Sequence, residues 1–223
     1  MADPMKGTPL EGFELPAEVF GLGAAELAYL MSRHETPAGE RSRRLLMLDP
    51  RSADDAALLA GASSLVSRGW LRLQDDGRAE SLSNAALVEY AVGAAVRWTR
   101  IGLVGETVSQ LDVAVLVESD TVIALMQPRQ LASWFIRLGD REGSTGSLVT
   151  DLVRERFVAD PQAGVLVEVQ TLEGSRNLAI RRSGSGFEAL ADVAGPGTGT
   201  GGVVDADGLE DAVSALYREE VSA

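Results

Sequence analysis

The chain has 223 residues, 45% of them hydrophobic, with 20 Lys plus Arg against 33 Asp plus Glu, a formal net charge of −13 and no cysteine. That length and apolar share bury one generous core or two small ones, and the lack of cysteine excludes disulfides, thiolate nucleophiles and cysteine-based zinc sites. Residues 1–100 carry 11 basic and 14 acidic groups, against 9 and 19 in residues 101–223, so the second half lacks the positive footprint that binding nucleic acid or anionic lipid demands. Lys6 is the only lysine, an arginine bias that reads as coding preference rather than chemistry. No stretch approaches the roughly 20 apolar residues of a membrane span, and the opening residues hold no run of signal-peptide length. The expected setting is the cytoplasm, with no membrane partner.

Residues 1–16 contain three prolines and read as a tail or an opening strand. From Gly23 to Arg33, Leu27, Leu30 and Met31 recur at helical spacing. The basic stretch Arg41, Arg43, Arg44 reads as a loop. Ser52 is the expected N-cap of a second helix ending at Arg68, with Asp54 and Asp55 in its first turn and Gly69 beyond its end. Residues 70–73 and 78–82 flank an Asp76-Gly77 turn and form a hairpin, and Ser83 or Asn84 caps a helix through Ala95. Residues 96–104, 112–118, 121–126 and 133–138 read as strands, rich in Val, Ile, Leu and aromatics between turn residues. Their short links favour antiparallel pairing. Leu148, Leu152, Val153 and Phe157 mark a helix over 148–157, and strands are expected over 164–172, 176–182 and 186–193. The glycine-rich segment 195–202 reads as a connector. Asp207, with Glu210 three residues on, opens a last helix through Glu220, its buried stripe being Leu209, Val213 and Leu216.

Few residues here carry chemistry. Gly197, Gly199 and Gly202 spell the dinucleotide pattern, yet too little chain follows for the ribose-binding acid of that fold. His34 is the single histidine, so any histidine-based triad or metal site would rest on it alone, and helix capping or simple exposure explains it. Asp205, Asp207 and Glu210 lack the acid two positions upstream that a calcium loop needs. The pairs Asp54-Asp55 and Asp75-Asp76 read as solvated acids at a helix start and a turn. No cofactor or metal is expected, and no enzyme. The helix-helix-hairpin order suggests a winged helix, but a recognition helix needs Arg, Lys, Asn or Gln at its leading end, where this one offers Asp54 and Asp55.

The helix Ala24-Ala25-Glu26-Leu27-Ala28-Tyr29-Leu30, the run Leu65-Val66-Ser67-Arg68-Gly69-Trp70-Leu71 with its following hairpin, the long central antiparallel sheet and the late helix ending near Leu216 resemble the EspG-type chaperones of type VII secretion. The likeness spans most of the chain, although the chain is shorter and its C-terminal half has fewer helices than is usual in that family. It implies a cytoplasmic protein that keeps a secreted client soluble.

The expected fold is α+β: a winged-helix-like N-terminal lobe (17–95) feeding a central antiparallel sheet of about five to seven strands (96–194), covered on one face by helices. A linker (195–204) and a C-terminal helix (205–223) complete one compact unit. The expected function is that of a non-enzymatic chaperone or adaptor binding one protein client. A homodimer is compatible with that role. The alternatives are a winged-helix, transcription-associated DNA-binding protein and an enzyme of an unrecognised class. Trp134 and Phe135 are the candidate partner-binding residues, because adjacent residues of a strand face opposite sides of a sheet and one of the two rings can therefore meet a partner.

Overall fold

The computed structural model describes residues 17–104, 113–129, 133–140, 144–192 and 199–218. The N-terminal segment 1–16 lies outside the described residues. The chain opens with β1 (Val19–Gly23) and α1 (Ala24–Ser32), where the Glu26 carboxylate reaches back to accept the Gly23 N–H at 2.8 Å. A helix not expected from the sequence, α2 (Pro37–Leu45), contains the arginines read above as a loop. Its start follows ordinary rules: Pro37 at the first helical position and the Thr36 hydroxyl accepting the Gly39 N–H at 3.0 Å. After a 3-10 turn, Pro50–Ala53, comes α3 (Asp55–Ser67), capped by Asp54 rather than Ser52, with Asp54 Oδ1 accepting from the Ala57 N–H at 2.7 Å. The expected hairpin forms as β2 (Leu71–Leu73) and β3 (Ala79–Ser81), with Gly77 at φ +79° in its turn. It leads into α4 (Ser83–Gly93), which has no side-chain cap.

Then follow β4 (Arg97–Val104), β5 (Val113–Glu118), β6 (Val122–Arg129) and β7 (Ser133–Asp140), α5 (Thr145–Ala159), β8 (Gly164–Gln170), β9 (Ser175–Ser183) and β10 (Gly186–Ala191), β11 (Thr200–Val204) and α6 (Ala206–Ala215). Nine of these strands make one antiparallel sheet in the order β1-β7-β6-β5-β4-β8-β9-β10-β11. The sheet exceeds the expected five to seven strands because both edges were missed. β11 occupies part of the supposed linker: Thr200–Val204 pairs with β10, and a Cβ on Gly201 would lie 2.0 Å from the Ala189 carbonyl oxygen. Glycine there permits close approach of two backbones. Residues 195–198 of the expected connector, including Gly197, lie outside the described residues.

The pleat sorts the strands' side chains onto two faces. Leu22, Trp98, Val115, Val117, Met126, Trp134 and Ile136 point to one face and join α1, α2, α3 and α4 in a single apolar core. Ile101, Leu116, Val165, Val167, Leu178, Ile180 and Phe187 point to the other, where they meet Val149, Val153 and Phe157 of α5 and Leu209, Val213 and Leu216 at the end of the chain. The helices are therefore divided between opposite faces, which corrects the expectation of cover on one face. α1–α4 lie over the half-sheet from β1 to β4, while α5 and α6 lie over the half from β4 to β11 on the reverse side. The hydrophobic effect drives both layers, each buried leucine, isoleucine or valine contributing about 1.5–3 kcal/mol. Two smaller corrections concern the C-terminal half. Val149, not the more exposed Leu148, belongs to the buried stripe of α5. The cap of α6 is Asp205, which accepts the Gly208 N–H at 2.9 Å, and Glu210 instead accepts from the Ser147 hydroxyl at 2.7 Å. No described helix is long and apolar enough to cross a membrane.

Candidate functional site

The helices change sides at β4; on the side of β6, β7 and β1 turned away from α1–α4, Ile123 is buried in the core built on α5 and Leu125 packs against that core. On β6, β7 and β1 this face presents Leu125, Gln127 and Arg129; Phe135 and Arg137; and Val19 and Gly21. Their facing follows from the register, Gly21 pairing with Phe135, Phe135 with Gln127, and Arg137 with Leu125 and Val19. α5 bounds it. The flank of α5 bearing Gly146, Ser147 and Arg154 meets α6, with Arg154 donating to the Ala206 carbonyl at 3.0 Å. Val149, Val153 and Phe157 point into the core, so Leu148, Leu152 and Arg156, spaced by four, fall on the flank toward β6.

Trp134 and Phe135 divide as the alternation requires. Trp134 is 5% exposed within the core under α1–α4, and Phe135 lies half-buried on the opposite face. The Arg129 guanidinium stands 5.2 Å from the Phe135 ring centroid and donates to Gln127 Oε1 at 2.6 Å. Burial first, and the like charge of Arg156 second, lower its pKa from the ordinary guanidinium value. Arg129, Arg137 and Arg156 form no salt bridge with a carboxylate among the described residues, whereas Arg154 pairs with Asp151 at 3.3 Å and Arg181 pairs with Glu188. The sequence singled out Trp134 and Phe135 and did not single out Arg129 or Arg156, the latter lying on a helix 27 positions beyond Arg129.

The other sequence candidates play structural parts. His34 does not cap a helix: its Nε2 lies 3.2 Å from Glu89 Oε1, and its ring sits where a Cβ on Gly93 would come within 2.5 Å of it. Glu89 also takes Arg33 Nε at 2.8 Å and the Ser81 hydroxyl, at the wall of a cleft of about 410 Å³ between α1, α4 and the hairpin. There the carboxylate stands between hydroxyl and imidazole, so the Ser81 proton faces Glu89 and the imidazole is not arranged as its general base. Asp54 is engaged as a cap, Asp76 bonds Arg78 at 2.6 Å, and Asp205 caps α6.

No protein-family model matches the sequence, and no curated protein does. Among solved structures, the chain is similar to the Mycobacterium tuberculosis type VII secretion system chaperone EspG5, solved in complex with the PE25–PPE41 dimer. The match has a TM-score of 0.53 and 10% identity, and covers 89% of this chain and 95% of that one. The two chains share a fold. EspG5 is a chaperone by its description, and its structure contains a bound protein dimer; at this identity the likeness extends to architecture alone, in line with the resemblance read from the order of elements.

Proposed function

We propose that this chain is a non-enzymatic chaperone or adaptor that holds one protein client in the cytoplasm, a role of the kind performed by type VII secretion chaperones. The observation that carries the reading is the architecture shared with EspG5, a type VII secretion system chaperone solved in complex with a protein dimer.

A winged-helix reading of α1, α3 and the hairpin is disfavoured by charge. The start of α3 bears Asp54 and Asp55, and the helix shares its core with the sheet rather than standing clear of it. Specific binding of duplex DNA at physiological salt, by about 10³-fold or more over random sequence, would restore that reading.

The direct test is co-purification from the native host with mass spectrometry, followed by reconstitution from purified components. A stoichiometric complex that keeps the partner from aggregating supports the proposal. A partner that neither binds the purified chain nor gains solubility from it, or turnover of a small substrate by the purified chain, refutes it.

A further inference from the structure

The large sheet ends at β1 on one side and β11 on the other, and the two ends are finished differently. An edge strand presents unpaired N–H and C=O groups along its outer side, which folded chains commonly blunt with charge, proline or cover. β1 is closed by its own chain: the Gly21 carbonyl accepts from Arg68 Nη1 at 3.0 Å, and the Gly23 N–H donates to Glu26 at 2.8 Å. β11 reads Thr200-Gly201-Gly202-Val203-Val204, with no charged residue and no proline, and among the described residues it pairs with β10 alone. Thr200, Gly201, Gly202 and Val203 are exposed, Val203 by 67%.

The register sets Thr200, Gly202 and Val204 opposite Ala191, Ala189 and Phe187 of the α5–α6 core, so these three turn toward α6. On α6, Glu210 and Ser214 lie against α5, where the Ser147 hydroxyl donates to Glu210 at 2.7 Å and a Cβ on Gly146 would meet the Ser214 Oγ. Gly208, Ala212 and Ala215 fall by helical spacing on the other flank, and a Cβ on Gly208 would lie 3.0 Å from the Val204 Cβ. A further strand laid along β11 therefore finds small residues beside it. Outside that flank Asp207 and Asp211, four residues apart, are exposed and form no salt bridge among the described residues.

We propose, on the reading that the chain holds a protein client, that β11 takes an extended, basic client segment as an added strand. The main chain of the segment bonds the open edge, and its α6-facing Lys or Arg side chains run along Ala212 and Ala215 to reach Asp207 and Asp211. Main-chain bonds alone accept almost any sequence. The small-residue flank and the acidic stripe beyond it select long cationic side chains, and the wider field agrees, residues 101–223 holding 9 basic groups against 19 acidic ones. A second copy of this chain is a poorer occupant. Two β11 strands paired antiparallel about a two-fold axis would set both α6 helices on the same face of the joined sheet, with Asp207 and Asp211 of each turned toward those of the other. Nucleic acid has the wrong charge for this edge.

The test uses the full chain and two synthetic peptides of equal length, one alternating Lys with Thr and Val, the other carrying Glu in place of Lys, with binding read by fluorescence anisotropy. The Lys peptide is expected to bind, more weakly as salt rises, and the Glu peptide at least about ten-fold more weakly. Only alternate residues of an added strand bond the edge, so N-methylation of one alternate set of amides should weaken the Lys peptide about ten-fold or more, and methylation of the other set much less. Asp207→Lys with Asp211→Lys should also weaken it about ten-fold or more. Asp55→Lys with Asp75→Lys, an equal change of net charge at the start of α3 and in the β2–β3 turn, should leave it nearly unchanged at physiological salt. If the chain reversed on α6 melts early, Asp207→Asn with Asp211→Asn serves in its place, with a smaller loss in the same direction. Equal binding of both peptides, no binding of the Lys peptide, equal loss from the two methylation patterns, or indifference to the α6 changes overturns the proposal. So does a dimer in sedimentation that the Lys peptide dissociates, for β11 then belongs to a second copy. A reconstituted client complex that survives Asp207→Lys with Asp211→Lys sinks this inference and leaves the client-holding reading standing; the absence of any such complex with the unmodified chain sinks that reading itself.

Discussion

The Tyr217 hydroxyl meets the Thr99 hydroxyl at 2.8 Å, which ties the end of α6 to the central strand β4. Around them Arg97 lies 5.3 Å from the Tyr217 ring centroid, and the fully buried Glu118 stands 3.6 Å from Arg97 and accepts from the Thr145 hydroxyl at 3.0 Å. The N-terminus of α5, the strands β4 and β5 and the end of α6 thus meet in one polar knot between the two halves of the fold.

That knot makes stability depend on alkaline pH. Burial is the main cause that raises the Tyr217 phenol above its ordinary 10.0. The folded protein therefore holds this proton more tightly than the unfolded chain, so the contribution is complete below about pH 10 and is lost as pH rises from there toward the folded-state value. Tyr217→Phe should lower stability at pH 8 by about 1–3 kcal/mol, because Thr99 is left without its partner. Its denaturation midpoint should then fall less steeply than that of the unmodified chain between pH 9 and 11. Parallel curves for the two proteins would show that the phenol is not held in this way.

Gly61 of α3 lies on the backbone of α1, where a Cβ would come 2.1 Å from the Ala25 carbonyl oxygen. At an exposed helix position Gly→Ala gains about 1 kcal/mol. Here the added methyl meets backbone rather than a flexible side chain, so α3 must move and the overpacking cost of about 1–3 kcal/mol or more wins. Gly61→Ala is expected to lower the melting midpoint, and a more stable variant would mean that α3 does not sit against α1 in solution.

The C-terminal stripe is a sharper case, because its residues could serve either the fold or a partner. Leu209 and Val213 are fully buried and Leu216 is 8% exposed, all within the core formed with α5 and the sheet. Leu216→Ala should cost about 2–5 kcal/mol in chemical denaturation of the isolated chain. An unchanged midpoint would mean that α6 is undocked and its stripe is free for a client.

That stripe was legible in the sequence because helical periodicity reports burial wherever a short amphipathic helix has no other source of stability. The strands β4 to β10 were legible for a related reason, their apolar and aromatic residues being bounded by turn residues. The two edge strands were not. β1 reads VFGLG and β11 reads TGGVV, and glycine weakens the strand signal in the very places where close approach of backbones requires it. α2 was hidden by its arginines, although Thr36-Pro37 carries an ordinary N-terminal signal. At the candidate site, the opposite facing of Trp134 and Phe135 followed from alternation alone. Which of the two faces packs under α1–α4 depends on where the helices dock, and no local pattern in residues 133–140 holds that information.

Ser42 offers the most exacting test of how the N-terminal helices are held. It is fully buried, accepts the Trp98 indole N–H at 2.9 Å and donates to the Val92 carbonyl at 2.8 Å, so one hydroxyl joins α2, β4 and α4. Ser42→Ala removes almost no volume but leaves a buried donor and a buried acceptor unsatisfied, at about 1–3 kcal/mol each. The expected loss is therefore larger than a serine-to-alanine change at the surface, which falls within about 0.5 kcal/mol. Trp98→Phe alone costs packing and strips Ser42 of its donor. In the Trp98→Phe background no indole N–H remains to be orphaned, so Ser42→Ala should cost less there than in the unmodified chain. The double-mutant cycle should yield a coupling of about 1–2 kcal/mol, well outside the roughly 0.5 kcal/mol scatter of independent sites. Additive losses would show that the two groups do not share a bond, and that this link between α2 and β4 is absent.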